Sequence, residues 1–406
     1  MLFFRNKIVY ILILLNLVML GCAPVGRTLK SNEGRKYNKK TEKFKEPVIR
    51  ILLLHKFDHI IISGNNLPVE VLGEGKHLYY TDRIEVLSGS NLIINGINVS
   101  PPVVIGDYGN HRIKINNNYY TGKFYIYKNE LILHLPIEKY LYGVVNSEMS
   151  SQWPLEALKA QAVVARTFAI YKMLTCKNKN YDIGNTLLFQ KYSFDDYDNK
   201  IVDAVESTRG IIIFYKDKPI ESFYHSCSGG ITESAGNVFQ TDLPYLRSVI
   251  DPYSKECRDF KWKLYLPASK IIYLIKKQTL FNIYNANVKP GDFINIKIGS
   301  RTSSGRVKYF IVQLRDKEYK IDGNKFRLAV GSKELKSLLI DSIRRENQTG
   351  EVLFVIKGRG YGHGVGMSQW GAKKMAELGF SYKKIISFYY RGVRLGKYYN
   401  LPLNFE

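Results

Sequence analysis

Residues 154–174, PLEALKAQAVVARTFAIYKML, constrain the fold more than any other stretch of the chain. The run contains no glycine, and Pro154 suits a first helical turn. On a helical wheel Leu155, Leu158, Ala162, Ala165 and Ala169 form one apolar stripe, while Val163, Val164 and Phe168 lie on other faces. A helix apolar on nearly every face has to be enclosed, so the rest of the chain must supply walls around it. Lys159 and Arg166 are seven positions apart, hence on one side, at the border of the stripe. Buried cations need partners. These two can reach the surface, meet structural carboxylates, or face a ligand.

Much of the wall is legible as strands. Between residues 48 and 135, apolar runs such as VIRILLL, HIIIS, KFYIY and ELILHL alternate with Gly and Asn turn signals. Beyond the helix, residues 267–340 mix a helical run, SKIIYLIKKQTLF, with strands in FINIKIG, RVKYFIVQLR and KEYKIDG. The expected fold class is α+β. A β-rich N-terminal part spans 47–135, and a mixed α/β core spans 136–400 around one central buried helix, 154–174. A mixed α/β subdomain at 267–345 sits inside that core. Hydrophobic residues at 45% and aromatic residues at 13% of a 406-residue chain exclude general disorder.

The first 22 residues address location. MLFFRNK carries two positive charges, and IVYILILLNLVML adds 13 apolar or near-apolar residues before Gly21-Cys22. That run is short for a membrane span and fits a secretory signal over 1–22 of the lipoprotein type, with Cys22 as the lipidated N-terminus. Met19 stands where leucine is usual. Residues 23–46 read as a basic flexible linker, with eight basic residues between Arg27 and Lys45. The formal charge of +24 favours polyanionic partners: nucleic acid, anionic lipid or wall polymer. Export removes nucleic acid from that set, and no recognition motif restores it. The expected location is the cell envelope, lipid-anchored to a membrane and facing the periplasm or wall.

Late in the chain GRGYGHGVGMSQWGA, residues 358–372, places six glycines around His363 and Gln369. Glycine at this density costs backbone entropy, so the backbone must pass something closely there. Other long motifs accompany it: YLYGVVNSEMSSQWPLEALKAQAVVARTFAI (140–170), KYSFDDYDNKIVDAVESTRGIIIFY (191–215) and FYHSCSGGITESAGNVF (223–239), then PYLRSV, RTSSGRV and FRLAVG. In that order the set resembles the stage II sporulation protein D and amidase-enhancer family (SpoIID/LytB), over roughly residues 50–395.

The resemblance implies an exported peptidoglycan lytic transglycosylase. Such an enzyme cuts glycan strands between N-acetylmuramic acid and N-acetylglucosamine, acts on strands stripped of stem peptides, and leaves 1,6-anhydro ends. It places the catalytic glutamate at Glu148, within Asn146-Ser147-Glu148-Met149, and carries two basic positions onto Lys159 and Arg166. His225, Ser228, Gly229, Gly230, His363, Ser368 and Gln369 are expected to line the substrate groove with them, His363 facing the same cleft as Glu148. The family's other branch stimulates wall amidases. The rival expectation is therefore a non-catalytic glycan-binding activator of an amidase, and the expected partners are peptidoglycan glycan strands and a cell-wall amidase.

The chemistry sets its own demands. Protonating a glycosidic oxygen needs a carboxyl held neutral near pH 7. Tyr142-Gly143-Val144-Val145 before Glu148, with Met149 and Trp153 after it, can desolvate that group. A place just before a helix N-terminus would instead favour the carboxylate, by about 0.3–1 kcal/mol. Without the resemblance, an exposed capping glutamate is the default reading. No partner carboxylate stands out by motif, which suits a reaction whose nucleophile is the sugar's own C6 hydroxyl; Glu233 and Asp251 stay open as candidates. His225, Ser226 and Ser228 lack the nucleophile-elbow pattern of serine hydrolases. Some relatives carry cysteines where Cys227 and Cys257 stand, so a disulfide is expected there, worth about 3–4 kcal/mol in the chain-entropy model. Cys176 is left as a free thiol. No cofactor is expected, with zinc on His225, Cys227 and Cys257 as the alternative.

Overall fold

The computed structural model describes residues 46–400, except 73–76, 107–111, 177, 179, 186–189, 191, 193–196, 240, 277–292, 316 and 349–350. The expected signal segment, Cys22 and the basic linker through Lys45 lie outside the described residues. The helices are α1 (Ile137–Glu148), α2 (Leu155–Thr175), α3 (Asn199–Glu206), α4 (Gly236–Phe239), α5 (Ala268–Lys276), α6 (Gly323–Val330), α7 (Gln369–Glu377) and α8 (Tyr382–Tyr389). Among the described residues no helix is long and apolar enough to cross a membrane.

α2 is the enclosed helix that its composition requires. It starts straight after Pro154, and Ala157, Leu158 and every residue from Ala160 to Ile170 are buried. α1, α3, α7, α8 and the strand Ile211–Tyr215 pack around it. One charge is buried with it. The Arg166 guanidinium, with no exposed surface, donates from Nη2 to Glu138 Oε2 of α1 at 2.6 Å and from Nε to both Glu138 oxygens at 3.0 Å. Its remaining hydrogens reach the carbonyls of Val205 and Ile211 at 3.1 Å. Glu138 also accepts the Gly210 N–H at 3.0 Å. One ion pair therefore ties the start of α1, the middle of α2 and the turn after α3 together.

The β-rich N-terminal part is as expected. Its strands form an eleven-stranded sheet that also takes in Ile183–Gly184. Val48–His55 runs antiparallel to Glu130–Pro136, and Ile51–Leu52 runs parallel to Ile183–Gly184. In Lys123–Tyr127 only Phe124 and Ile126 are buried, the period-two pattern of a strand with one face on the core. The fold class is α+β.

The subdomain has its own hydrophobic core around Leu266, Ile271, Ile275, Phe310, Phe326 and Phe354. Lys261–Pro267, Glu351–Arg359 and Leu339–Gln348 make one antiparallel sheet; Phe293–Arg301, Val307–Leu314 and Glu318–Asp322 make another. The unit is wider than 267–345, because both outer strands of its first sheet pair with Glu351–Arg359, which runs on into the glycine-rich segment.

Candidate active site

Glu148 is the last residue of α1, and the chain turns extended at Met149 (φ −135, ψ 146). This corrects the expected position: Glu148 closes α1 and does not stand just ahead of α2, which begins at Leu155. The Gln369 amide, at the start of α7, donates to Glu148 Oε2 at 3.1 Å across 221 residues of sequence. Gln369 is held there by the short parallel pairing of Tyr224–His225 with Met367–Ser368.

Two tyrosines flank the carboxyl that the sequence reading did not single out. The Tyr140 and Tyr224 phenols are pushed well above their ordinary range, by burial first and by the neighbouring Glu148 charge next. Tyr140 donates to Gln190 Oε1 at 3.0 Å, and Gln190 donates to the Ala165 carbonyl at 3.2 Å, which anchors α1 against α2. Tyr140 precedes Glu148 on the same helix and Tyr224 adjoins His225, so membership of the motifs was their signal. Beyond the turn, the Trp153 and Trp370 rings meet edge to face at 5.1 Å, with the Lys373 ammonium over Trp370 at 5.3 Å. The site thus offers a half-buried carboxyl, an amide that orients it, and aromatic surface on the neighbouring turn.

Several expected groove residues belong to the scaffold instead. Arg166 is sealed inside the Glu138 pair described above and cannot touch a substrate. Lys159 is half-buried and pairs with Glu156 at 2.8 Å, whose other oxygen accepts the Tyr382 N–H that opens α8. Ser228 is fully buried, donating to Asp251 at 2.6 Å and lying 2.7 Å from the Ser254 hydroxyl. Ser368 is equally buried and caps α7 by accepting the Gly371 N–H at 3.3 Å. Gly229 and Gly230 form the turn beside Ser228, with the Gly229 Cα facing the backbone of Arg359 and not open space. Glu233 and Asp251 are saturated by their own neighbours. Glu233 accepts from Thr302, Ser304, Ser234 and Asn237, and Asp251 from Ser228 and Tyr253.

The His363 ring packs 5.7 Å from His225, 6.0 Å from Phe223 and 5.4 Å from Phe239. His225 is buried; its Nδ1 lies 3.1 Å from the Val365 carbonyl, while Nε2 has no hydrogen-bond partner among the described residues. The glycines serve this crowding. At Gly366 (φ +74) a Cβ would lie 1.9 Å from the Phe223 carbonyl oxygen.

Cys227 and Cys257 come together, but as free thiols and not as the expected disulfide. The hydrogen bond between them pushes the Cys227 thiol up and the Cys257 thiol down. Cys176 is likewise free. The zinc alternative finds no support, since among the described residues no three His, Cys, Asp or Glu side chains are gathered to hold a metal.

Comparison with known proteins assigns the fold and motifs together. The family model for stage II sporulation protein (SpoIID) matches residues 126–215, and a domain of unknown function matches 245–366. Stage II sporulation protein D of Bacillus subtilis is 30% identical over 66% of this chain and 77% of its own length. The chain belongs to the SpoIID family. An uncharacterized protein of Brachyspira hyodysenteriae is 35% identical over 71% of the chain and 75% of its own length. The amidase enhancer of Bacillus subtilis is 31% identical over 64% of the chain, which spans 40% of that longer protein.

Proposed function

We propose that this SpoIID-family protein acts on the bacterial cell wall as an exported lytic transglycosylase, with Glu148 as its acid and base. The observation that carries this reading is the Gln369–Glu148 hydrogen bond, which unites the ends of two distant motifs on one carboxyl beside buried tyrosines. Protonated Glu148 gives its proton to the glycosidic oxygen as the bond to C1 breaks. The resulting carboxylate then takes the proton of the C6 hydroxyl while that oxygen closes on C1, giving the 1,6-anhydro ring without water. One carboxyl suffices, in keeping with Glu233 and Asp251 being occupied by protein donors. The Gln369 amide fixes the direction of the Glu148 carboxyl. The apolar leader and Gly21-Cys22 support export and lipid anchoring, which a diacylated Cys22 peptide in the mass spectrum of membrane-extracted protein would establish.

Purified protein incubated with amidase-treated sacculi should release anhydro-muramyl ends. Glu148→Gln should lower that rate by about 10²–10⁴-fold with an unchanged melting temperature. Equal product from wild type and variant removes the enzyme, and reducing ends in place of anhydro ends make it a hydrolase. The similarity to an amidase enhancer supports a second reading, glycan binding that stimulates an amidase. Under that reading Glu148→Gln retains full stimulation of an added amidase, and no anhydro ends form.

A further inference from the structure

A narrow polar cleft lies beside His363, where the family body meets the subdomain; Arg306 and Arg327 line it, and so do the carboxylates of Glu233 and Asp322. Two arginines in it are buried, Arg306 at 2% and Arg327 at 6% exposure. Neither forms an ion pair with a carboxylate among the described residues. Arg306 donates to the carbonyls of Ser228 and Ile231 at 2.8 and 2.9 Å and to the Ser304 hydroxyl at 3.1 Å, while its Nε is left without a partner. Glu233 favours the Arg306 charge from nearby, but its oxygens are taken by Thr302, Ser304, Ser234 and Asn237. Arg327 uses only Nε, donating to the Lys336 carbonyl at 3.2 Å. Burial holds both guanidiniums down at about 10, well below the ordinary arginine range. A buried cation with no counter-charge is costly, and a fold keeps one where something else supplies the charge.

We propose that this cleft is a binding site for a carboxylate, with the terminal nitrogens of Arg327 as its principal donors and Arg306 as the supporting charge. A planar guanidinium matches a carboxylate with two parallel hydrogen bonds. The accessible space is about 10 Å³, room for one water-sized group, so a single carboxylate oxygen at its mouth and not a whole sugar can enter. Asn324 and the second amide hydrogen of Asn237 add neutral donors, while the Thr302 hydroxyl is spent on Glu233. The polymers of a wall offer two sources of this chemistry, the lactyl carboxylate of muramic acid and the C-terminal carboxylate of a peptide. The site is separate from Glu148, and its existence does not depend on glycan cleavage.

Calorimetric titration of the full chain carrying Glu148→Gln tests it, with N-acetylmuramic acid, N-acetyl-D-alanine, N-acetylglucosamine and inorganic phosphate as probes. At least one carboxylate should bind, and which one does identifies the source, while N-acetylglucosamine should not. Arg327→Gln should weaken that binding at least tenfold and Arg327→Lys by less. The melting temperature without ligand should stay level or rise in Arg327→Gln, because an unpaired buried charge has been removed, and the carboxylate-induced rise in melting temperature should vanish. Binding of no carboxylate, binding of phosphate alone, or carboxylate binding unchanged by Arg327→Gln overturns the proposal. So does a fall in ligand-free melting temperature in Arg327→Gln, which would make Arg327 a structural residue. Failure here leaves Glu148-dependent release of anhydro ends untouched, so the two readings fail separately.

Discussion

Arg166 and Arg327 are both buried guanidiniums in one fold, and of the two only Arg166 has a carboxylate partner among the described residues. Arg166 meets the Glu138 carboxylate at 2.6 Å and spends its other hydrogens on backbone carbonyls. Arg327 meets one carbonyl and faces a cleft. The first arrangement closes on itself and does structural work between α1 and α2. The second is incomplete, and incompleteness in a buried charge points outward, to a ligand. Position alone would have misled: Arg166 occupies the helix whose family motif suggests substrate contact, whereas Arg327 lies outside the residues the SpoIID model matches, in the part matched by a domain of unknown function.

The largest effect expected on breaking this comparison is at Arg166. Arg166→Met leaves Glu138 buried and unpaired, and should cost about 3–5 kcal/mol of unfolding free energy in urea titration. Replacing both partners, Arg166→Met with Glu138→Leu, should recover most of that loss, since an apolar pair of similar volume removes the stranded charge. A single variant as stable as wild type would place Arg166 with Arg327 as a charge the fold does not need.

A smaller effect is expected at Gly364. Its φ is +86, and a Cβ there would lie 2.6 Å from the Arg306 guanidinium. Gly364→Ala combines a backbone conformation that costs about 1–3 kcal/mol for a side chain with displacement of that guanidinium. Stability should fall by that order. Carboxylate affinity should fall further than in a control such as Gly379→Ala, where φ is also positive but nothing lies within reach of the new methyl. Equal affinity in both variants would detach Arg306 from the cleft's function.

How much of this was legible depended on the length scale of the signal. The all-round apolarity of 154–174 foretold an enclosed helix, and period-two alternation foretold the N-terminal sheet. α1 was hidden because Gly143 and the β-branched Val144 and Val145 weaken helical propensity locally, while packing of Ile137, Tyr140, Leu141, Val144 and Val145 decides the matter. Glu148 was therefore placed ahead of α2, whereas it closes α1. Of the residues expected around it, Gln369 reaches the carboxyl, held by a strand pair too short, with its partner some 140 residues away, for any local pattern to name. Glu138 is invisible as the partner of Arg166 for the same reason.

The smallest expected effect concerns His363, and its sign follows from the cleft's charge. Burial, then the charges of Arg327 and Arg306, hold its imidazole down at about 3. Its Nδ1 accepts the Val365 N–H at 3.0 Å, so protonation there would also break a hydrogen bond. In the unfolded chain a histidine titrates near about 6.5. Between those two values the unfolded state binds the extra proton, so stability rises with pH across the window and is lost as pH falls below about 6.5. Urea midpoints at pH 7 and pH 4.5 should therefore lie closer together in His363→Gln than in wild type. The narrowing should be partial, because burial also depresses His225 beside it and that histidine remains. A bound carboxylate should reduce the acid loss in wild type by offsetting the two guanidiniums. An unchanged separation of midpoints in His363→Gln would show that neither burial nor the two arginines hold this histidine down.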